Sequence, residues 1–179
     1  MKLLCLDRTK RVAVLPVLAL FTFALLATAG CGGAPPQPAA PQAVIETERG
    51  QIVIELYASD APETVANFKS LVEQGFYDSL TFHRVDPGFV VQGGDPNGDG
   101  TGGPGYAIRD EDSKRKHLRG SVGMAKSGPH TAGSQFYICL SDQPGLDGRY
   151  TVFGQVVKGM EVVDALQIGD RMLKVHMEE

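Results

Sequence analysis

The sequence predicts a mostly β fold: a closed, eight-stranded antiparallel β-barrel capped by two α-helices. Three observations predict it. Eight short β-rich runs lie between residues 44 and 177, with Gly, Pro or Asp between them. Only two stretches carry apolar residues at helical spacing. The folded part has the length of one domain and shows no internal repeat, so strands and helices must share one core.

The elements follow in order. Residues 44–48 and 51–56 are β-rich, and Arg49-Gly50 between them signals a hairpin. Asp60-Ala-Pro-Glu63 opens a helix: Asp60 can cap it, Pro62 fits its first turn and Glu63 completes a capping box. Val65, Phe68 and Val72 recur at helical spacing until Gly75 ends the element. Strands follow over 80–85, 89–93, 121–125, 135–140 and 151–157. A second helix over 160–167 puts Val162, Val163 and Leu166 on one side, and 171–177 is the last strand.

The first thirty residues have another character. Lys2, Arg8, Lys10 and Arg11 precede an almost wholly apolar run over 12–29, then Ala27-Thr-Ala-Gly30 and Cys31. This is an export signal, and it resembles a bacterial lipoprotein signal, which implies cleavage before Cys31 and lipidation of that residue. Thr28 departs from the aliphatic residue usual three places before the cysteine. An uncleaved membrane anchor is the alternative, since the apolar run is just long enough to span. Residues 32–42, GGAPPQPAAPQ, form with Cys31 a Pro/Ala-rich tether that would stay extended over about 30 Å. The remainder, 43–179, has the length of one domain and is the folded part. The expected location is the extracytoplasmic face of a bacterial membrane.

Charge narrows the function. Losing residues 1–30 removes four basic residues and one acid, moving the formal net charge from −4 to −7. So acidic a chain repels nucleic-acid phosphates, and the run Lys114, Arg115, Lys116, Arg119 reads as a solvated loop. Cys5 leaves with the signal, and Cys139 in a strand reads as a buried, inert thiol. His83, His117, His130 and His176 are scattered, with no ligand cluster, so no metal and no cofactor is expected. A monomer is expected.

One loop imitates known sites. Asp95-Pro-Asn97-Gly-Asp99-Gly100 opens like a calcium loop, but its twelfth position is Tyr106 instead of Glu, and a strand precedes it. Gly98-Asp-Gly100-Thr-Gly-Gly103 matches a dinucleotide fingerprint, but Pro104-Gly105 follows where a helix must open, and Asp95 and Asp99 repel phosphate. The glycines instead permit tight turns in a long loop beside something important.

Strand alternation sorts the flanking residues. Gln135 and Tyr137 share one face, and Phe136, Ile138 and Leu140 the opposite, apolar one that can fill a barrel. Val90 and Gln92 point one way, Phe89 and Val91 the other, unless the turn at Pro87-Gly88 twists the start. Arg84, the one permanent charge in 80–85, faces out. A guanidinium, two amides and apolar groups on one outer face make a small peptide-binding pocket.

Three segments carry a more specific signal: TFHRVDPGFVVQGGD (81–95), GSVGMAKSGPHTAGSQFYICL (120–140) and LDGRYTVFGQVVKGMEVVDAL (146–166). They closely resemble the cyclophilins, the cyclosporin-binding peptidyl-prolyl cis-trans isomerases, over about residues 44–179. The resemblance implies the same closed eight-stranded barrel and the rotation of X-Pro bonds in unfolded or exported polypeptides. It assigns Arg84, Phe89 and Gln92 to catalysis, and Val90, Ala125, Gln135, Tyr137, Leu146 and Tyr150 to substrate binding. Tyr137, two residues after Gln135, aligns with the pocket aromatic in place of Phe136. Departures from the best-known members are Gly145 for a tryptophan that grips cyclosporin, Tyr150 for a histidine, Val90 for a methionine and Tyr137 for a phenylalanine. The alternative is a non-catalytic proline-binding or chaperone module with the same pocket. A calcium-regulated binder is a third reading.

Overall fold

The computed structural model describes residues 40–178. The export signal, Cys31 and the tether up to residue 39 lie outside them. The strands are β1 (Gln42–Thr47), β2 (Gly50–Leu56), β3 (Phe82–Asp86), β4 (Val90–Gly93), β5 (Ser121–Met124), β6 (Phe136–Cys139), β7 (Val152–Lys158) and β8 (Met172–Glu178). The helices are α1 (Pro62–Glu73) and α2 (Met160–Ala165), and a 3-10 turn spans Pro144–Leu146. Among the described residues, no helix is long and apolar enough to cross a membrane.

All eight strands join one antiparallel sheet in the order β3-β4-β6-β5-β7-β2-β1-β8. The sheet curls, and its edges β3 and β8 approach each other. They are joined by the bridge Thr81↔Arg171 and by single bonds such as Phe82 N–H to the Asp170 carbonyl and Met172 N–H to the Leu80 carbonyl. No full ladder forms there, because the chain turns at 77–79 and at 168–169 and only strand ends face one another. The expected closed barrel is therefore a curled half-barrel with a thinly stitched seam.

The inward strand faces behave as alternation requires. Ile45, Ile52, Ile54, Val91, Val122, Phe136, Ile138 and Phe153 are all buried in one cluster. α1 lays Val65, Phe68, Leu71 and Val72 onto it. Phe68 is fully buried, with ring centroids 5.1 Å from Tyr77, 5.7 Å from Phe136 and 5.2 Å from Phe153. α2 is shorter than expected: Leu166 is extended, though still buried, and the Gln167 N–H is taken by Asp170 at 2.7 Å.

The start of α1 corrects the capping expectation. Ala61 is the N-cap and offers no side-chain bond. Asp60 is committed elsewhere, in a 2.9 Å ion pair with Arg115. The free helix donors are met by Glu111, whose carboxylate accepts from the Glu63 N–H at 3.0 Å and the Thr64 N–H at 2.7 Å. An anion there also complements the positive end of the helix dipole. The capping group thus comes from a distant loop, where no local capping pattern can reveal it.

Three residues of the basic run, Arg115, Lys116 and Arg119, find partners within the domain. Arg115 also lies 3.9 Å over the Tyr57 ring, Lys116 pairs with Asp147 at 3.2 Å, and Arg119 pairs with Asp164 at 2.6 Å. Arg115 and Lys116 tie their loop to neighbouring loops, and Arg119 ties it to α2.

Candidate active site

Register assembles the site. Directly opposed residues on neighbouring strands share a face. Arg84 on β3 opposes Gln92 on β4, Gln92 opposes Tyr137 on β6, and Tyr137 opposes Gly123 on β5. Four strands therefore contribute one row to the outer face: a guanidinium, an amide, an aromatic ring and a residue without a side chain. The missing side chain matters, because a Cβ on Gly123 would lie 2.5 Å from the Tyr137 ring and hydroxyl. Only glycine lets that ring lie back against the sheet.

Beside the row lies a cavity of about 400 Å³. It is lined by every site residue expected from sequence: Arg84, Phe89, Val90, Gln92, Ala125, Gln135, Tyr137, Leu146 and Tyr150. Val90, Tyr137 and Cys139 form a small apolar cluster of their own on this side, with Phe89, Ala125, Leu146 and Tyr150 packed against it. Phe89 belongs here and not with Val91 in the core. It sits in the turn before β4, outside the strand alternation, so the twist at Pro87-Gly88 decides its direction.

The polar residues form a chain along one wall. Arg84 donates to Asp86 at 3.1 Å, approaches the Gln92 carbonyl oxygen at 3.5 Å, and lies 5.5 Å from the Phe89 ring centroid. Gln92 donates to Gln135 at 2.9 Å. Gln135 donates in turn to the carbonyls of Gly100 and Gly102 at 3.0 and 2.8 Å. The two amides thus tie the guanidinium to the glycine loop. Arg84 keeps donor capacity, since an Arg carries five N–H groups, and its side chain is 47% exposed at the cavity rim.

The glycine loop is built around its own anion. Asp95 is 1% exposed and accepts from the backbone N–H groups of Asn97 at 2.8 Å, Asp99 at 3.0 Å and Gly100. Asp99 bonds the Thr101 N–H at 2.9 Å and its hydroxyl at 2.6 Å. A Cβ at Gly102 would fall 2.1 Å from the Asp95 carboxylate. The calcium-like spelling thus encodes an inward carboxylate surrounded by amides. Among the described residues, no cluster of three or more His, Cys, Asp or Glu is placed to hold a metal ion.

Burial alone would raise the Asp95 pKa, but the three amide donors outweigh it and hold the carboxyl below its ordinary value. The bonds therefore support the loop fully above the unfolded Asp pKa of about 3.9, and that support is lost as pH falls through the lower folded value. Amide NMR shifts of Asn97, Asp99 and Gly100 are expected to titrate together at a midpoint below about 3.9. A shared midpoint above it would contradict the arrangement.

Under the cavity lie residues that no sequence pattern singled out. Tyr137 passes its hydroxyl to His117, and His117 reaches Asp147, the residue after Leu146. Lys126 also lines the cavity, 5.4 Å from the Tyr150 ring centroid. Cys139 is fully buried, and burial pushes its thiol up to about 12, leaving it unreactive.

Comparison with known proteins agrees with this geometry. The family described as cyclophilin type peptidyl-prolyl cis-trans isomerase matches residues 43–178. A peptidyl-prolyl cis-trans isomerase of Synechococcus elongatus is 54% identical over 136 residues, covering 75% of this chain and 94% of that protein. Peptidyl-prolyl cis-trans isomerase B of Bacillus subtilis is 52% identical over 130 residues, covering 72% and 91%. The crystal structure of a Cryptosporidium parvum cyclophilin type isomerase, obtained in the presence of the dipeptide Ala-Pro, superposes with a TM-score of 0.71 at 31% identity, covering 77% of this chain and 99% of that one. By sequence and fold together, the chain belongs to the family of cyclophilin-type peptidyl-prolyl cis-trans isomerases.

Proposed function

We propose that this isomerase turns X-Pro bonds in exported polypeptides while held to a bacterial membrane by a lipid on Cys31. The observation that carries the catalytic part is the placement of Arg84 at the rim of an apolar pocket, tied by Gln92 and Gln135 to the loop behind it. The export part rests on the basic start, the apolar run over 12–29, Cys31 and the Pro/Ala-rich tether.

The chemistry needs no covalent step. The barrier to X-Pro rotation, about 20 kcal/mol, comes from amide resonance. As the bond twists, the prolyl nitrogen regains its lone pair and becomes a hydrogen-bond acceptor. Arg84 donates to that nitrogen. Phe89, Val90, Tyr137 and Leu146 hold the pyrrolidine ring, and Gln92 orients both Arg84 and the substrate backbone. The donor gains strength only in the twisted state, so its contribution is to the transition state. An acceleration of about 10⁵ needs about 7 kcal/mol of such preference. Exported chains arrive unfolded, with X-Pro bonds that relax in tens of seconds unaided, so the location suits the activity.

The direct test is an isomerase assay on an Ala-Pro peptide, comparing wild type with Arg84→Ala. Equal rates near background would instead support a proline-binding module. Mass spectrometry of the mature N-terminus tests the anchor: a diacylated Cys31 is expected, and an intact residue 1 would refute it.

Cyclosporin affinity is expected to be weak. Gly145 stands where an indole grips the drug in the best-known relatives, and a Cβ there would meet nothing within 4 Å. Inhibition in the micromolar range or weaker is the expected result, and a nanomolar inhibition constant would contradict it.

A further inference from the structure

The pocket aromatic is held from behind by a buried histidine. His117 is 1% exposed and lies on the loop before β5. Its Nε2 is 2.9 Å from the Tyr137 hydroxyl, and its Nδ1 is 3.0 Å from Asp147 Oδ1. The two ring planes are nearly parallel, 16° apart, with centroids 6.0 Å from each other. Asp147 is secured separately: it accepts from the His117 N–H at 2.9 Å and pairs with Lys116 at 3.2 Å.

The direction of each bond follows. Hydrogen bonds from the His117 backbone and ring, with Lys116 nearby, hold the Asp147 carboxyl down at about 2, so at neutral pH it only accepts. His117 Nδ1 must then carry the proton it donates. In the neutral imidazole this leaves Nε2 as an acceptor. Burial pushes the Tyr137 phenol well above its ordinary range, so it keeps its proton and donates it to Nε2.

We infer that His117, with its tautomer set by Asp147, is a positioning residue that locks Tyr137 against Gly123 as a wall of the proline pocket. This rests on the proposed isomerase reading of that pocket. The ring needs such a lock, because Gly123 provides room without any side chain to grip it. The ring also meets Tyr150 edge-on, at 6.0 Å and 86°. Without the hydroxyl bond, Tyr137 is free to tilt within the pocket, and an error of about 1 Å at such a wall costs binding and rate.

The test is a double-mutant cycle on Ala-Pro peptide turnover, with thermal melts to establish folding. His117→Leu is expected to lower kcat/KM about tenfold, mostly through KM, as loss of uniform binding does. His117→Gln, which can both accept and donate, is expected to recover to within about threefold of wild type. In the Tyr137→Phe background, His117→Leu should change kcat/KM by less than about twofold. An equal loss in both backgrounds would overturn the inference. If His117→Leu does not fold, nitrogen NMR of wild-type His117 decides: a protonated Nδ1 with a bare Nε2 supports the lock, and the reverse tautomer overturns it. If wild type shows no turnover, the isomerase reading fails, and the same cycle read by peptide affinity still tests the positioning.

Discussion

Arg84→Ala is expected to lower kcat/KM on an Ala-Pro peptide by about 10²–10³, the usual effect of removing one preorganised donor. The fold should hardly notice. The Arg84 side chain is 47% exposed, and its ion pair with Asp86 is 48% exposed on the partner's side. Such pairs contribute about 0–1 kcal/mol to stability. A chemical melt should therefore give a midpoint close to wild type while activity collapses. Arg84→Lys should recover little, because an ammonium lacks the planar fork that bonds along the Gln92 wall and toward the substrate together. An Arg84→Ala variant within threefold of wild-type activity would remove the transition-state role from this residue. The remaining pocket would then be a proline grip with its catalysis unexplained.

Phe68→Ala should show the opposite pattern. Phe68 is fully buried between Tyr77, Phe136 and Phe153 and joins α1 to the sheet. Truncating such a ring costs about 3–5 kcal/mol, part lost transfer energy and part unfilled cavity. A domain of ordinary stability holds about 5–15 kcal/mol in total, so a large share goes at once. A urea melt read by far-UV circular dichroism measures it. At a temperature well below the new midpoint, turnover should stay within about threefold of wild type. The cavity faces the helix, and the pocket lies on the other face of the sheet. A destabilisation under about 1 kcal/mol would mean that α1 is not packed as described.

Much of this design was legible from alternation alone. The β6 pattern sends Phe136 and Ile138 inward and Tyr137 outward, and they lie in the inner and outer clusters accordingly. The same rule put Gln135 outside with Tyr137 and gave Val90 and Gln92 a common face, while Arg84 was placed outward by its charge. Ala125, Leu146 and Tyr150 followed only from family resemblance, because two of them lie outside regular strands and the third just beyond one. Phe89 was left open by the residues, since a turn obeys no period of two. The Asp60 cap failed because Arg115 competes for that carboxylate and Glu111 is better placed.

By itself the sequence determined which residues of β6 face inward and which outward, and where most elements lie to within about two residues. Those properties depend on neighbours a few residues apart, through side-chain periodicity and backbone preference. Only the tertiary structure decided how far the sheet closes, which carboxylate caps α1, and that Arg84, Gln92, Tyr137 and Gly123 stand in one row with His117 and Asp147 behind them. Each of these is a contact between distant segments. Strand register and loop path set such contacts, and no local pattern in the chain encodes them.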